Sequence, residues 1–296
     1  MKRQSGIDLL GASLLVGFSV LLGLNQALVK LVNQGFAPLF QSGLRSAVAF
    51  VPVFAFALIM KRRLSISDGS LGWGTLNGLF FCLEFGLLFV ALDYTTVARV
   101  SLFFYAMPVW VAIGAHFLIP EEPMNRNKAM GLLLSMAGMG VALASNWGEA
   151  GTQGWMGDLM ALIAGVFWAC IALLTKTKLS GVTAEMNLLY QLAISAIVLC
   201  AVAPFVEPVI REPSMSIYAI FAFQAIVIVA VGFLAWFWLL SVYPVSNMSS
   251  FGLLSPVFGV FFGWLIFDDS LTPGFLAALA AVGAGIVLVN KPARSP

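Results

Sequence analysis

ARVSLFFYAMP at residues 98–108 and SNMSSFGLLSP at residues 246–256 close on prolines 148 positions apart. At the same offset Val109 falls on Val257, and Val97, Ser101 and Phe103 fall on Val245, Ser249 and Phe251. Upstream, Phe85, Phe89 and Leu92 fall on Phe233, Phe237 and Leu240, Gly17 on Gly165, and Lys30-Leu31 on Lys178-Leu179. Past the prolines the offset drops to 145, where Gly138-Met139-Gly140 meets Gly283-Ala284-Gly285. The change in offset lies in a loop, where length changes are tolerated. Apolar matches are cheap in a hydrophobic chain, but a shared register of prolines, glycines and lysines is not. The chain reads as two tandem copies, 1–146 and 147–296.

What repeats is membrane-spanning helix. Hydrophobic residues fill 61% of 296 positions and charged ones only 9%, whereas a soluble domain carries about 25% charge. The apolar residues come in blocks near the roughly 20 residues that cross a bilayer. Spans are expected at about 8–31, 37–60, 71–93, 96–119 and 129–146, then 156–178, 184–206, 217–242, 246–267 and 274–290. Lys2 and Arg3 precede the first block like the start of a signal peptide, but that block is too long for one and reads as a span.

Ten spans with the N-terminus in the cytoplasm place eleven of the fifteen basic residues on cytoplasmic segments. These are Lys2, Arg3, Lys61, Arg62, Arg63, Arg126, Lys128, Lys176, Lys178, Lys291 and Arg294, and the bias obeys the positive-inside rule. Lys30, Arg99 and Arg211 fall near the outer face, and Arg45 lies within a span. Both termini are therefore expected in the cytoplasm. Five is an odd number, so the second copy must insert upside down. The expected fold class is an all-α integral membrane protein of ten helices in two inverted five-helix repeats. Inverted repeats allow two halves to exchange conformations around one central site, as secondary transporters do.

The pattern resembles EamA-type carriers of the drug/metabolite transporter superfamily, over nearly the whole chain. The resemblance rests on Gly17 to Lys30, on Arg45, on residues 98–108 followed by Glu121-Glu122, and on residues 246–256 followed by Asp268-Asp269. The acidic pair after Pro120 departs from the Gly-Glu frequent in the family. The resemblance is strongest to bacterial inner-membrane exporters of amino acids, aromatic ones included. It implies a monomer or weak homo-oligomer with a cavity between the halves.

Charged residues inside a span cost about 2.5–3.5 kcal/mol on insertion scales and normally face the bundle interior. Glu84, mid-span in the third helix, reads as a carboxylate that binds a substrate amine or carries a coupled proton, or as a buried structural acid. Arg45 could meet a substrate carboxylate or pair with an acid such as Asp93. Tyr105 and Trp168, mid-span in the fourth and sixth helices, are candidate cavity walls. Tyr190 and Gln191 open the seventh, Gln224 and Trp236 lie in the eighth, and Asn25 in the first; these complete the candidate substrate contacts. Trp73, Trp147, Trp155 and Tyr218 read as an interface belt. Pro108 and Pro256 are candidate hinges. Lys30 reads as snorkelling to the outer interface. The fifth and tenth spans, rich in glycine and poor in polar groups, should brace each half at its periphery.

Enzymatic readings find no support in the residues. His116 is the single histidine, and Cys82, Cys170 and Cys200 have no metal-type spacing. No P-loop is present, and the small net charge of +2 argues against nucleic acid. No cofactor is expected. The expected partners are a small-molecule substrate, a proton if transport is coupled, and the bilayer. The leading reading is a secondary-active amino-acid exporter. Carriage of a nucleobase, sugar derivative or drug, or passive facilitation, stays open.

Overall fold

A computed structural model describes residues 9–66, 68–120, 124–145, 153–232, 235, 239 and 254–290. All regular structure among them is helical. α1 (Leu9–Val32) turns through Gly35 into α2 (Pro38–Ile59), whose proline occupies the first turn, where no N–H is needed. α3 (Leu71–Tyr94) is followed by α4 (Val97–Phe104) and α5 (Met107–Leu118), then α6 (Arg126–Ser145). α7 (Gly154–Thr177) and α8 (Ala184–Val206) follow. α9 (Met215–Phe223) runs into a π-helical stretch, Gln224–Val231, and α10 (Leu254–Phe267) and α11 (Pro273–Asn290) close the described chain. Thr96, Thr183 and Ser214 cap α4, α8 and α9, their hydroxyls accepting from the N–H of Arg99, Met186 and Ile217.

Among the described residues six spans are long and apolar enough to cross a membrane: α1, α2, α3, α4 with α5, α7 and α8. Met215–Val231, α10 and Pro273–Leu288 are shorter apolar helices. The expected eighth and ninth spans run into residues outside those described, Trp236 among them.

Helices of the N-terminal and C-terminal halves of the chain pair with each other. α2 packs on α8, α6 on α11, and the fourth span, through α4, on α10. Each pair runs antiparallel, as the order of contacts shows. Along α2, Gly43 faces Cys200 and Ser46 then reaches Ser195. Ser101 faces Gly259 while the earlier Ala98 faces Gly263. Gly131 faces Gly285 while the later Gly138 faces Ala278 to Val282.

The two ends of the bundle differ. One end gathers the turns after α1, α3, α8 and α10. There Lys30 Nζ donates to the Thr95 carbonyl at 2.7 Å, Ala37 N–H donates to the Val209 carbonyl at 3.0 Å, and Ala98 N–H donates to Asp269 at 2.9 Å. The opposite end gathers the turns after α2 and α7, where Arg62 pairs with Glu185 at 2.9 Å and the Thr183 hydroxyl donates to the Arg63 carbonyl at 3.1 Å.

Several expectations change. The fourth span is not continuous: it breaks at Tyr105-Ala106, and Pro108 lies in the first turn of α5. A proline removes one backbone bond and its ring clashes with the carbonyl four residues back, so the helix ends upstream of it. Lys30 reaches the turns at its own end of the bundle, where it is held by the Thr95 carbonyl and lies over the Phe267 ring at 5.5 Å. The fifth and tenth spans do not brace separate halves, since α6 and α11 clasp one another. Gly138 and Gly285 sit at that contact, but Gly140 and Gly283 face open space. Trp73, Trp155 and Tyr218 are exposed near span ends, as a belt requires; Trp147 lies outside the described residues.

Candidate functional site

Where α2 meets α3, two charged side chains lie inside the bundle. Arg45 is 3% exposed and Glu84 is 2% exposed. At 1.5 Å per residue, Arg45 lies roughly 10 Å below the Pro38 end of α2, and Glu84 roughly 15 Å below the Tyr94 end of α3. Both are therefore at membrane depth. The Arg45 guanidinium occupies an aromatic corner, 4.6 Å from the Phe85 ring and 4.6 Å from the Phe89 ring. Those rings stand 6.0 Å apart at 75°. Arg45 and Glu84 attract each other, yet neither has an ion pair within 4.0 Å or a hydrogen bond among the described residues.

Asp93, the suggested alternative partner of Arg45, is committed elsewhere. Its carboxylate accepts from Arg211 at 2.7 Å and from Asn33 at 2.7 Å. Arg211 also pairs with Glu207 and donates to the Asn33 carbonyl at 3.0 Å. These partners pull the Arg211 guanidinium above its ordinary value, against the effect of burial. The Arg45–Asp93 pairing is therefore absent, because the loop arginine takes that acid.

Polar side chains continue through the seam. Gln224, fully buried on the first turn of the π-helical stretch, accepts from Gln41 of α2 at 3.3 Å. The Gln41 Oε1, Gln224 Nε2 and Ser42 Oγ atoms lack partners. On α1, Asn25 is buried with its Oδ1 unpartnered.

The aromatic candidates separate into two groups. Tyr105 and Trp168 come together: their rings lie 6.0 Å apart edge-on, Trp168 stacks on Phe104 at 4.8 Å, and the Tyr105 hydroxyl donates to the Leu22 carbonyl at 3.0 Å. Tyr190 is placed elsewhere, its ring over Gly74 and its hydroxyl 3.0 Å from Ser70 Oγ. Gln191 is buried next to it in α8. Trp236 lies outside the described residues. Pro256 lies in α10 and, with Tyr105, lines a cavity of about 300 Å³ bounded by Leu102, Leu276, Leu279 and Val282.

Sequence reasoning missed the ion pair of Arg99 with Asp158 and the clamp of Asp93 by Arg211. Asp158, a lone acid within an apolar block, carried the signal that could have found the first.

No group of three or more metal-ligating side chains forms among the described residues. The three cysteines are free, Cys82 buried and Cys170 and Cys200 partly so.

The model of the EamA-like transporter family matches the chain twice, over residues 9–144 and 155–291. An uncharacterized transporter, YoaV of Bacillus subtilis (strain 168), is 24% identical over 277 residues, covering 93% of this chain and 94% of that protein. A probable amino-acid metabolite efflux pump of Escherichia coli (strain K12) is 25% identical over 301 residues, covering 98% and 94%. One crystal structure superposes with a TM-score of 0.66 at 19% identity, covering 94% of this chain and 96% of that one, so the fold is shared.

Proposed function

Because the chain belongs to the EamA-like transporter family, we propose that it is a secondary-active exporter of amino acids and related small metabolites. It works by alternating access across a bacterial inner membrane. Its ten spans form two inverted five-helix repeats, residues 1–146 and 147–296, with both termini cytoplasmic. One observation carries this reading: α2 with α8, the fourth span with α10, and α6 with α11 pair across the copies, and each pair is antiparallel. Copies inserted in opposite directions produce that arrangement, and rocking one against the other would expose a seam to each side in turn. Buried polar groups on α1, α2 and the π-helical stretch, together with Glu84 on α3, lie along the packing of the bundle, where a solute site is expected. Amino acids as cargo rest on the efflux-pump relative.

Counterflow with the purified chain in proteoliposomes tests the carrier reading. Vesicles preloaded with unlabelled amino acid should transiently accumulate labelled amino acid above equilibrium. Simple equilibration without an overshoot would identify a passive facilitator instead. A reporter fused to the C-terminus should report from the cytoplasm.

A further inference from the structure

The fold gives its other buried arginine everything that it withholds from Arg45. Arg99 holds Asp158 with two guanidinium nitrogens. Arg45, equally enclosed, meets aromatic carbon, and Glu84 meets no donor. A structural ion pair would have closed the gap, because unpaired charges in a low-dielectric interior are disfavoured. The two groups instead face each other with more than 4.0 Å between them, on neighbouring helices at membrane depth.

We propose that Arg45 and Glu84 bind the two ends of a free α-amino acid. This deepens the exporter reading and rests on it. The substrate carboxylate accepts from the Arg45 guanidinium, whose fork of N–H donors matches a carboxylate. The substrate ammonium donates to Glu84. Phe81 and Phe85, with ring centroids 4.5 Å apart, and Phe89 form the nearest apolar wall and favour an apolar side chain.

Only a zwitterion satisfies both groups together. An anion leaves Glu84 unpaired and repelled, and a cation does the same to Arg45. A neutral solute leaves both charges without partners. Sites built around buried polar groups reject analogues that leave those groups unpaired. Positive and negative groups on one small molecule are therefore the specificity rule, ahead of side-chain shape.

The test uses the full-length chain and four probes: L-phenylalanine, L-leucine, N-acetyl-L-phenylalanine, which lacks the ammonium, and L-phenylalaninamide, which lacks the carboxylate. Binding is read as thermal stabilisation in detergent, which grows with ligand concentration over Kd. Exchange is read as counterflow in proteoliposomes. The two free amino acids should stabilise and exchange, and each capped analogue should bind at least tenfold more weakly. Glu84→Gln should bring N-acetyl-L-phenylalanine and L-phenylalanine to similar affinity. Arg45→Gln should do the same for L-phenylalaninamide. The wild-type ligand series decides the matter even if a variant fails to fold. Capped and free ligands binding equally well would overturn the proposal. Counterflow of nucleobases or sugars without amino acids would overturn it and leave the carrier reading standing, whereas no counterflow of any solute would remove the carrier reading itself.

Discussion

Arg99 in the first turn of α4 and Asp158, the fifth residue of α7, join the N-terminal and C-terminal halves of the chain through a buried bidentate ion pair. The Arg99 Nε lies 3.0 and 3.1 Å from the two carboxylate oxygens, and a terminal guanidinium nitrogen adds a further bond. The Thr95 hydroxyl donates to the same carboxylate at 2.9 Å. Removing one partner strands a buried charge, which costs about 3–5 kcal/mol. Asp158→Asn should therefore unfold at markedly lower temperature in detergent. The Arg99→Leu/Asp158→Leu double variant should lose less than the sum of the two singles, as a double-mutant cycle of melting curves will show.

The Asp93–Arg211 pair ties the α3 end to the turn after α8 and, through Asn33, to the turn after α1. It is half-exposed, so it contributes on the order of 0.2–1 kcal/mol. Asp93→Asn with Arg211→Gln should open this end severalfold more often. In a background without the native cysteines, Ala37→Cys, buried beside the Val209 carbonyl at this end, should react faster with an impermeant maleimide added on the side proposed to be outer. An unchanged labelling rate would show that the pair does not hold the end closed.

Gly285 and Gly283 lie two residues apart on α11 with opposite surroundings. A Cβ at Gly285 would sit 2.5 Å from the Gly131 carbonyl oxygen and against Ser135 Oγ, whereas one at Gly283 meets nothing within 4 Å. Overpacking costs about 1–3 kcal/mol, so Gly285→Val should destabilise the protein clearly. Gly283→Ala should be neutral, or stabilising by up to about 1 kcal/mol through helix propensity. Paired melting curves check both.

Asp269, just past the end of α10, has its carboxyl pushed above the ordinary 3.8 by burial, with the Ala98 N–H and Lys30 opposing the shift. A carboxyl raised in the fold binds protons more tightly folded than unfolded. Its contribution to stability therefore grows as pH falls through the raised value and levels off below 3.8. The melting temperature of the wild type minus that of Asp269→Asn should rise on acidification within that window. A flat difference would contradict the burial argument.

The helical class, the double match to one family model and the burial of Arg45 and Glu84 were legible because each leaves a local mark: a long apolar block, a recurring proline or a charge inside a span. Partner choice was not. Arg45 and Asp93 are both compatible with one another in sequence, and only the approach of the turn after α8 shows that Arg211 takes Asp93. Lys30 reads as snorkelling towards an end of the bundle, but its partners there, the Thr95 carbonyl and the Phe267 ring, could not be named from the sequence. Tyr190 and Tyr105 look alike as aromatics in apolar blocks. One stands over Gly74 and the other beside Trp168, because tertiary packing assigns them to different helix contacts. Pro108 was recognised as a disruption, but its effect falls upstream, at Tyr105-Ala106, since a proline disturbs the turn before it.

The clasp of α6 by α11 has a consequence for biogenesis. α6 is made long before its partner α11, the last of the described helices to leave the ribosome. At 5–20 residues per second the wait is on the order of ten seconds. Throughout it the close-packing surface around Gly131, Ser135 and Gly138 faces lipid or an insertion factor. Premature termination before residue 273 would release a chain in which α6 is complete but still unsheltered, a ready mark for membrane quality control.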